Sequence, residues 1–317
     1  MIHEAIYAVL IAFFLNIVIS PFAIPLLHKL KFGQNVREDG PKAHLKKAGT
    51  PTMGGIIILM SILMTSFLFL KGNKAVQTIL FVTVSFGLIG FIDDYIKVIK
   101  KRSLGLTALQ KLILQLIVAC VFAYLAANYV GLDTCMMVPF MHQKTWNLGA
   151  FYWPFLIFTV LAVVNAVNLT DGMDGLAASV TLLVATFWAA VALSFKSETI
   201  PIAAATVGSL LGFLLFNSYP ARVFMGDTGS LALGGFVVSM AFMLKMPLFI
   251  LIIGVIYVIE NVSVMLQVIY FKKTKKRLFK MAPIHHHFEL GGWPETKVVT
   301  VFSIITAMMC LVGVIAL

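Results

Sequence analysis

The chain has 317 residues, of which 60% are hydrophobic and 12% charged, and its formal net charge is +11. A soluble protein of this composition would lack the polar residues that cover a water-facing surface. Apolar runs of about 17–25 residues, the length that spans a bilayer, recur along the sequence. We therefore predict an all-α, multi-pass integral membrane protein that forms one transmembrane domain over residues 1–317.

The apolar runs predict about ten membrane spans. The first run, from Ile6 to Leu27, lacks a basic leader and is long enough to be a span, so no cleaved signal peptide is expected. An even number of spans places both termini on the same side of the membrane. The spans are predicted at residues 5–27, 52–70, 75–93, 107–127, 154–168, 175–195, 200–217, 229–245, 247–271 and 298–317.

The basic residues are distributed unequally between the two sides of this arrangement. Of the 24 Lys and Arg residues, 19 lie in or beside the connections opposite the termini, and 5 lie on the side of the termini. Because loops rich in Lys and Arg stay in the cytoplasm, we predict that both termini are extracytoplasmic. Topology thus explains the positive charge, and no nucleic-acid partner is expected.

The ninth predicted span is unusual, because it carries Glu260-Asn261 in an otherwise apolar run. Two interpretations are open. The helix either leaves the membrane early and lies partly along its surface, or it is kinked and borders a lipid groove.

Four predicted helices begin on the cytoplasmic side, near residues 52, 107, 175 and 229. Their free N–H groups and positive dipole ends collect on that face, which suits phosphate binding. Ordinary helix capping is the alternative. The candidate phosphate-binding residues are Lys46, Lys47, Thr52, Lys97 and Lys111.

Asp93-Asp94 is predicted at the opposite kind of helix end, the C-terminus of the third span. There the negative dipole and the adjacent carboxylates both favour protonation or a bound cation. Neighbouring helical residues point about 100° apart, so one carboxylate would face a metal and the other a substrate oxygen. A solvated turn is the alternative.

Further carboxylates and amides lie at helix ends on the same side. Asp227 follows Gly226 at a helix start and suits a hard cation such as Mg²⁺, which binds one or two carboxylates together with phosphate oxygens. Asp171 and Asp174 would ligate a metal, orient the substrate or cap a helix. Two amides, Asn168 and Asn217, would act as caps or ligands.

The triplet His285-His286-His287 is predicted in an extended loop. A zinc site is disfavoured, because neither a cysteine nor a spaced histidine completes a tetrahedral set. Binding of pyrophosphate oxygens or anchoring of the loop fits better, since histidine titrates near neutral pH.

Together these motifs resemble the polyprenyl-phosphate N-acetylhexosamine-1-phosphate transferase superfamily, and within it the phospho-N-acetylmuramoyl-pentapeptide transferases. The resemblance covers essentially the whole chain, and the most specific motif runs from Ala282 to Glu289. The other motifs that carry the resemblance are Gly49 to Gly55, Asp93-Asp94, Asn168 to Gly175 and Phe224 to Ser230.

The resemblance implies a Mg²⁺-dependent enzyme of the bacterial plasma membrane with its active site on the cytoplasmic face. Its partners would be UDP-MurNAc-pentapeptide and undecaprenyl phosphate, and its products lipid I and UMP. Asp227 would ligate the metal, and Asp93 or Asp94 would act as the base or beside the metal, with Asp94 as the second candidate ligand. The histidines would lie beside the sugar phosphate. The nucleotide and its phosphates would meet Lys46, Lys47, Asn168, Asp171, Asp174, Asn217 and Phe224.

Several alternatives remain open at the level of sequence. The transfer is either a single displacement or a reaction through a phosphosugar–aspartate intermediate. A relative that transfers another N-acetylhexosamine phosphate is the second candidate function, and a membrane transporter is the candidate from a different class. A transporter is disfavoured, because its polar groups would lie near the bilayer midplane. A homodimer is also open, since an association face cannot be told from a lipid-facing one in so apolar a chain.

Overall fold

A computed structural model describes residues 1–29, 49–70, 72–100, 104–141 and 144–317. Within these ranges, nine helices are long and apolar enough to cross a membrane. The helices in chain order are α1 (Ile2–Lys29), α2 (Gly55–Phe69), α3 (Lys74–Ile99), α4 (Ala108–Tyr124), α5 (Tyr152–Thr170), α6 (Leu176–Ser194), α7 (Ile200–Asn217), α8 (Gly226–Met243), α9 (Ile250–Ile253), α10 (Val255–Thr274), α11 (Ile284–Glu289) and α12 (Glu295–Ile315).

The predicted span at 52–70 is shorter than expected, because α2 has 15 residues. At 1.5 Å per residue such a helix reaches about 22 Å, less than the roughly 30 Å of a hydrocarbon core. The residues before α2 instead run beside residues 223–225. The Phe224 N–H donates to the Pro51 carbonyl at 2.8 Å, and the Gly54 N–H donates to the Phe224 carbonyl at 2.8 Å.

Helix α8 lies at the centre of the bundle, with most of its residues buried, and it packs against α3 and α5. The backbones of α3 and α8 approach closely at Gly90, where a Cβ atom would overlap the carbonyl of Asp227. This glycine lies one turn before Asp93 and Asp94. The close approach therefore brings both carboxylates to the start of α8.

Contacts between the connections define two ends of the bundle. At one end, the Met137 N–H donates to the Lys245 carbonyl at 2.7 Å, and the Phe140 N–H donates to the Ala316 carbonyl at 2.9 Å. At the other end, the Asp174 N–H donates to Oε1 of Glu295 at 2.6 Å. This grouping agrees with the predicted alternation of the spans. The side of the membrane that each end faces stays a prediction.

The connection between α4 and α5 adds a short hairpin to the predicted all-α fold. Strand β1 (Cys135–Met137) pairs antiparallel with β2 (Thr145–Asn147), and Met136 lies opposite Trp146. Aromatic and β-branched residues such as Trp146 and Thr145 favour extended backbone. The hairpin covers the end of the bundle that holds the C-terminus.

The predicted ninth span is interrupted rather than continuous. A 3-10 turn at Pro247–Phe249 leads into the four-residue α9, which ends at Ile253. After Gly254, α10 begins at Val255. The break agrees with the kinked alternative. Whether α10 borders a lipid groove stays a prediction.

Candidate active site

Three carboxylates meet where the C-terminal part of α3 faces the start of α8. One oxygen from each of Asp93, Asp94 and Asp227 lies within 4.8 Å of the others. Asp93 and Asp94 are each 3% exposed, whereas the side chain of Asp227 is 18% exposed. Asp227 is therefore the carboxylate of the three that solvent reaches best.

The prediction that Asp93 and Asp94 end a helix is wrong, because α3 continues to Ile99. Oδ2 of Asp94 accepts hydrogen bonds from the Thr228 N–H at 2.9 Å and from Oγ1 of Thr228 at 2.8 Å. Oδ1 of Asp94 accepts from the Asp227 N–H at 3.2 Å. Asp94 thus caps α8 from a neighbouring helix and lies at a positive dipole end, not a negative one.

Two lysine ammonium groups lie among these carboxylates. Nζ of Lys97 is 2.6 Å from Oδ2 of Asp93 and 2.8 Å from Oδ2 of Asp227. Nζ of Lys111 is 2.9 Å from the same oxygen of Asp227. Buried charges persist when they are paired in this way. The structure therefore places both predicted lysines in the cluster, and their contact with phosphate stays a prediction.

Asn168, near the end of α5, connects the acidic and basic groups. Its Nδ2 donates to Oδ1 of Asp227 at 2.8 Å, and its Oδ1 accepts from Nζ of Lys111 at 3.3 Å. Since α5 ends two residues later, this side chain reaches the start of α8 directly. The prediction that these separated motifs gather at one place is confirmed for Asn168, Lys97, Lys111 and the three aspartates.

Asp171 follows α5 and lies beside the same cluster. The Gly226 N–H donates a hydrogen bond to its carboxylate. Burial raises the pKa of Asp171 to about 8, with further contributions from the carboxylates of Asp227, Asp94 and Asp174. A cation at the cluster would lower this pKa again, because it favours the ionised form.

Two other predicted binding residues support the connection between α7 and α8. Oδ2 of Asp174 accepts from the Ala221 N–H at 2.9 Å, and Nδ2 of Asn217 donates to the Val223 carbonyl at 2.9 Å. Both side chains are buried. A role of Asp174 or Asn217 in binding substrate stays a prediction, and the structure shows each of them fixing backbone.

Thr52 and Phe224 belong to the paired segments before α2 and α8. The Thr52 side chain is buried beside Gly226, and Phe224 is half-buried. Contact of either residue with a nucleotide stays a prediction. The predicted phosphate-binding residues Lys46 and Lys47 lie outside the described residues.

The histidine triplet forms part of a helix, so the prediction that it lies in an extended loop is wrong. Pro283 precedes α11 as its N-cap, and six residues complete the helix. Nδ1 of His285 faces Oε1 of Glu260 at 3.0 Å, whereas Nδ1 of His286 faces Oε2 of Glu289 at 3.2 Å. Nδ1 of His287 accepts from the Lys280 N–H at 3.1 Å. The rings therefore have three different partners.

Comparisons with known proteins agree with this geometry. The family model "Glycosyl transferase family 4" matches residues 76–245, and "Phospho-N-acetylmuramoyl-pentapeptide-transferase signature 1" matches residues 47–59. A phospho-N-acetylmuramoyl-pentapeptide-transferase of Clostridium kluyveri is 54% identical over 317 residues, which cover 99% of this chain and 100% of that protein. Proteins of the same name from Clostridium novyi and Clostridium perfringens are 54% and 52% identical, over 98% of this chain and over 96% and 98% of their own lengths.

The chain belongs to the phospho-N-acetylmuramoyl-pentapeptide transferase family. This membership confirms the resemblance drawn from the motifs, and it favours a transferase over a transporter.

Two hydroxyl residues of the Phe224 to Ser230 motif lie in the site, although neither was predicted as a site residue. Oγ1 of Thr228 donates to Asp94, and Oγ of Ser230 accepts from Nδ2 of Asn168 at 2.8 Å. Both residues follow Gly226-Asp227 at the start of α8. Thr and Ser shortly after a Gly-Asp pair at a helix start were the signal available in the sequence.

The clustered carboxylates of this chain are suitable ligands for a hard divalent cation. Asp93, Asp94 and Asp227 offer oxygen ligands within 4.8 Å of one another, and carboxylate oxygens are the ligands that such cations prefer. Lys97 and Lys111 pair with these carboxylates, and Asp171 adds a fourth carboxylate beside them. When all these carboxylates are ionised, negative charges outnumber positive ones in the cluster, as far as the described residues show. A divalent cation would neutralise this excess.

Proposed function

We propose that this chain transfers phospho-MurNAc-pentapeptide from UDP-MurNAc-pentapeptide to undecaprenyl phosphate, which yields lipid I and UMP. Support comes first from relatives named phospho-N-acetylmuramoyl-pentapeptide-transferase along the whole chain. The observation that carries the proposal is the cluster around Asp227, where carboxylates, ammonium groups and an amide converge. Such a cluster suits phosphoryl transfer, in which positioning and charge neutralisation do most of the work.

The transfer that we favour is a single displacement. An oxygen of the lipid phosphate forms a bond to the β-phosphorus of the nucleotide sugar. The bond between that phosphorus and the bridging oxygen breaks, and UMP leaves with the electron pair. The ammonium groups of Lys97 and Lys111 are the cations placed to stabilise phosphate charge during this exchange.

Asp93 is better placed than Asp94 to take a proton from the attacking phosphate. Oδ2 of Asp94 already accepts two hydrogen bonds from Thr228. Oδ1 of Asp93 accepts from the Leu106 N–H at 2.8 Å, while its Oδ2 contacts the side chain of Lys97. A lysine side chain moves more easily than a helix start, so Oδ2 of Asp93 can be released for proton transfer.

We propose Mg²⁺ as the metal, held by Asp227 and Asp94 with Asp93 beside it. When bound, the ion would neutralise charge on the pyrophosphate. Asn168 and Lys111 keep Asp227 oriented, because both hydrogen-bond to its carboxylate. The protein would therefore hold its ligands in place before substrate arrives.

We place the enzyme in the bacterial plasma membrane with this cluster on the cytoplasmic face. The bias of Lys and Arg toward connections on that side supports the placement. A soluble nucleotide sugar and a lipid phosphate would meet there. Formation of a homodimer stays a prediction.

The test is an assay of the purified chain in detergent with UDP-MurNAc-pentapeptide and undecaprenyl phosphate. We expect lipid I and UMP in equal amounts by mass spectrometry, with Mg²⁺ and not with EDTA. Parallel reactions with UDP-GlcNAc test the related transferases. Turnover of UDP-GlcNAc in place of the pentapeptide substrate would overturn the proposed specificity.

A second experiment distinguishes the two reaction routes. The chain is incubated with Mg²⁺ and labelled UDP-MurNAc-pentapeptide in the absence of lipid phosphate. A single displacement leaves the protein unlabelled and releases no UMP. A phosphosugar–aspartate adduct, trapped by rapid denaturation, would establish the covalent route instead.

A further inference from the structure

Glu260 and His285 form a buried pair that the proposed chemistry does not use directly. Glu260 lies on α10 and His285 on α11, and both side chains are 0% exposed. Oε1 of Glu260 is 3.0 Å from Nδ1 of His285. A carboxylate buried in a membrane-spanning helix is costly even when it is paired. Its presence therefore needs a reason beyond packing.

The contact holds the His285 ring through its Nδ1 atom. The single proton in this contact lies between Oε1 and Nδ1, so Glu260 and the tautomer of the His285 ring are coupled. The other ring nitrogen, Nε2, is buried and has no hydrogen-bond partner among the described residues, and the same holds for Oε2 of Glu260. A buried nitrogen in this state is unsatisfied, and such a group in a native structure calls for an explanation.

Nε2 of His285 lies against the turn between α5 and α6. A Cβ atom at Gly172 would overlap Nε2 and Cε1 of the imidazole. The ring therefore packs directly on the backbone of Gly172, which follows Asp171. Asp171 in turn accepts a hydrogen bond from the Gly226 N–H at the carboxylate cluster.

We propose that Glu260 is a positioning residue for the nucleotide-sugar site. Its carboxylate fixes the tautomer and the orientation of the His285 ring, and the ring fixes the turn at Gly172 and with it Asp171. The inference rests on the proposed function for the identity of the substrate. Glu260 lies inside a membrane helix and would act on the site through the His285 ring and the turn at Gly172.

The first test compares Glu260→Gln with Tyr257→Phe. Both substitutions are nearly isosteric and lie one turn apart on α10. The control removes a buried hydroxyl that bonds to Oγ1 of Thr181 at 2.8 Å and does not contact His285. We expect Glu260→Gln to raise KM for UDP-MurNAc-pentapeptide roughly tenfold or more, the size seen when a carboxylate partner of a ligating histidine is lost. KM for undecaprenyl phosphate is expected to stay constant, and Tyr257→Phe to keep both values.

Two further measurements keep the test decisive. Gly172→Ala displaces the His285 ring from the other side. It is expected to raise KM for the nucleotide sugar and to leave KM for undecaprenyl phosphate constant, and it tests the proposal even if Glu260→Gln fails to fold. In ¹⁵N-histidine spectra, with His285→Asn for assignment, Glu260→Gln should change the Nδ1 and Nε2 signals of His285. Unchanged signals would show that Glu260 does not set the state of the ring and would overturn the positioning role.

The outcomes separate this inference from the proposed function. A wild-type chain that makes no lipid I contradicts the proposed function. An active wild type whose Glu260→Gln variant melts earlier, with both KM values unchanged, shows a structural role and overturns the positioning role.

Discussion

Asn168 donates from Nδ2 to Oδ1 of Asp227 across 2.8 Å, and this bond joins the end of α5 to the start of α8. Oδ2 of the same carboxylate accepts from Lys97 and Lys111. Both oxygens of Asp227 are thus held from three different helices. A carboxylate fixed in this way needs little reorganisation when charge develops beside it.

Asp227→Asn is expected to remove turnover and its dependence on Mg²⁺. The amide has nearly the same shape but lacks the charge that Lys97, Lys111 and a cation would share. We expect a loss of roughly 100-fold or more in kcat, measured as UMP release across a Mg²⁺ titration. Near-normal activity would remove Asp227 from the metal site.

The matched control is Asp133→Asn at the opposite end of the bundle. Asp133 pairs with Lys245 at 2.6 Å, and both side chains are exposed. Exposed ion pairs contribute little to the stability of a protein. This variant is therefore expected to keep its turnover.

Lys97→Met is expected to tighten the binding of a divalent cation in the absence of substrate. Nζ of Lys97 contacts oxygens of Asp93 and Asp227, so its removal makes the cluster more negative. Calorimetry with Mn²⁺ measures the change. Lys111→Met is the comparison and should have a smaller effect, because Nζ of Lys111 contacts one of the three clustered carboxylates. Weaker Mn²⁺ binding in Lys97→Met would show that the ammonium group does not compete with the cation.

Gly90→Ala is expected to separate α3 from α8. The new Cβ would overlap the carbonyl of Asp227, and overpacking of this kind costs about 1–3 kcal/mol. We expect a lower apparent melting temperature and reduced turnover. Gly87→Ala, one turn earlier on α3, is the control, since its nearest neighbour is the flexible end of Leu59 at 2.6 Å. Equal effects of the two variants would contradict the close backbone approach as the cause.

Asp171→Asn is expected to stabilise the metal-free chain at high pH. The folded-state pKa of Asp171 is raised to about 8, whereas an unfolded aspartate has a pKa of about 3.9. Between these values the folded chain holds a proton that the unfolded chain has lost, so wild-type stability falls as pH rises. The gain in apparent melting temperature of Asp171→Asn should grow from pH 5 to 8 in EDTA and then level off.

Asp133→Asn provides the contrasting case for this pH experiment. The pKa of Asp133 is lowered by its hydrogen bond with Lys245. The stability that its ionised carboxylate contributes is therefore fully present at pH values above the unfolded pKa. The difference in melting temperature between Asp133→Asn and wild type should therefore stay constant from pH 5 to 8. A constant difference for Asp171→Asn as well would contradict the raised pKa.

The sequence predicted the parts of the site that follow from helix direction. Alternating spans bring the end of α3, the end of α5 and the start of α8 to one end of the bundle, as Asn168 and Asp227 show. It did not predict that Asp94 caps α8, because that contact depends on how closely two helices pack. The sequence pattern also gives no sign that Gly90 packs against the backbone of Asp227.

The histidine segment shows a second limit. A helix of six residues is too short for an apolar period to reveal it, and Pro283 before it was the available signal. The pairing of His285 with Glu260 joins residues 25 positions apart on separate helices. Such a contact follows from the turn between α10 and α11, whose geometry the residue pattern does not encode.

The two adjacent aspartates of α3 acquire their partners at different times during synthesis. Asp93 bonds to Leu106, 13 residues later, and to Lys97 on its own helix. Asp94 bonds to Thr228, which the ribosome adds 134 residues later. Until α8 enters the bilayer, a newly inserted α3 therefore carries a carboxylate without its final donors. Insertion of the second half of the chain thus stabilises the first half as well as completing the cluster.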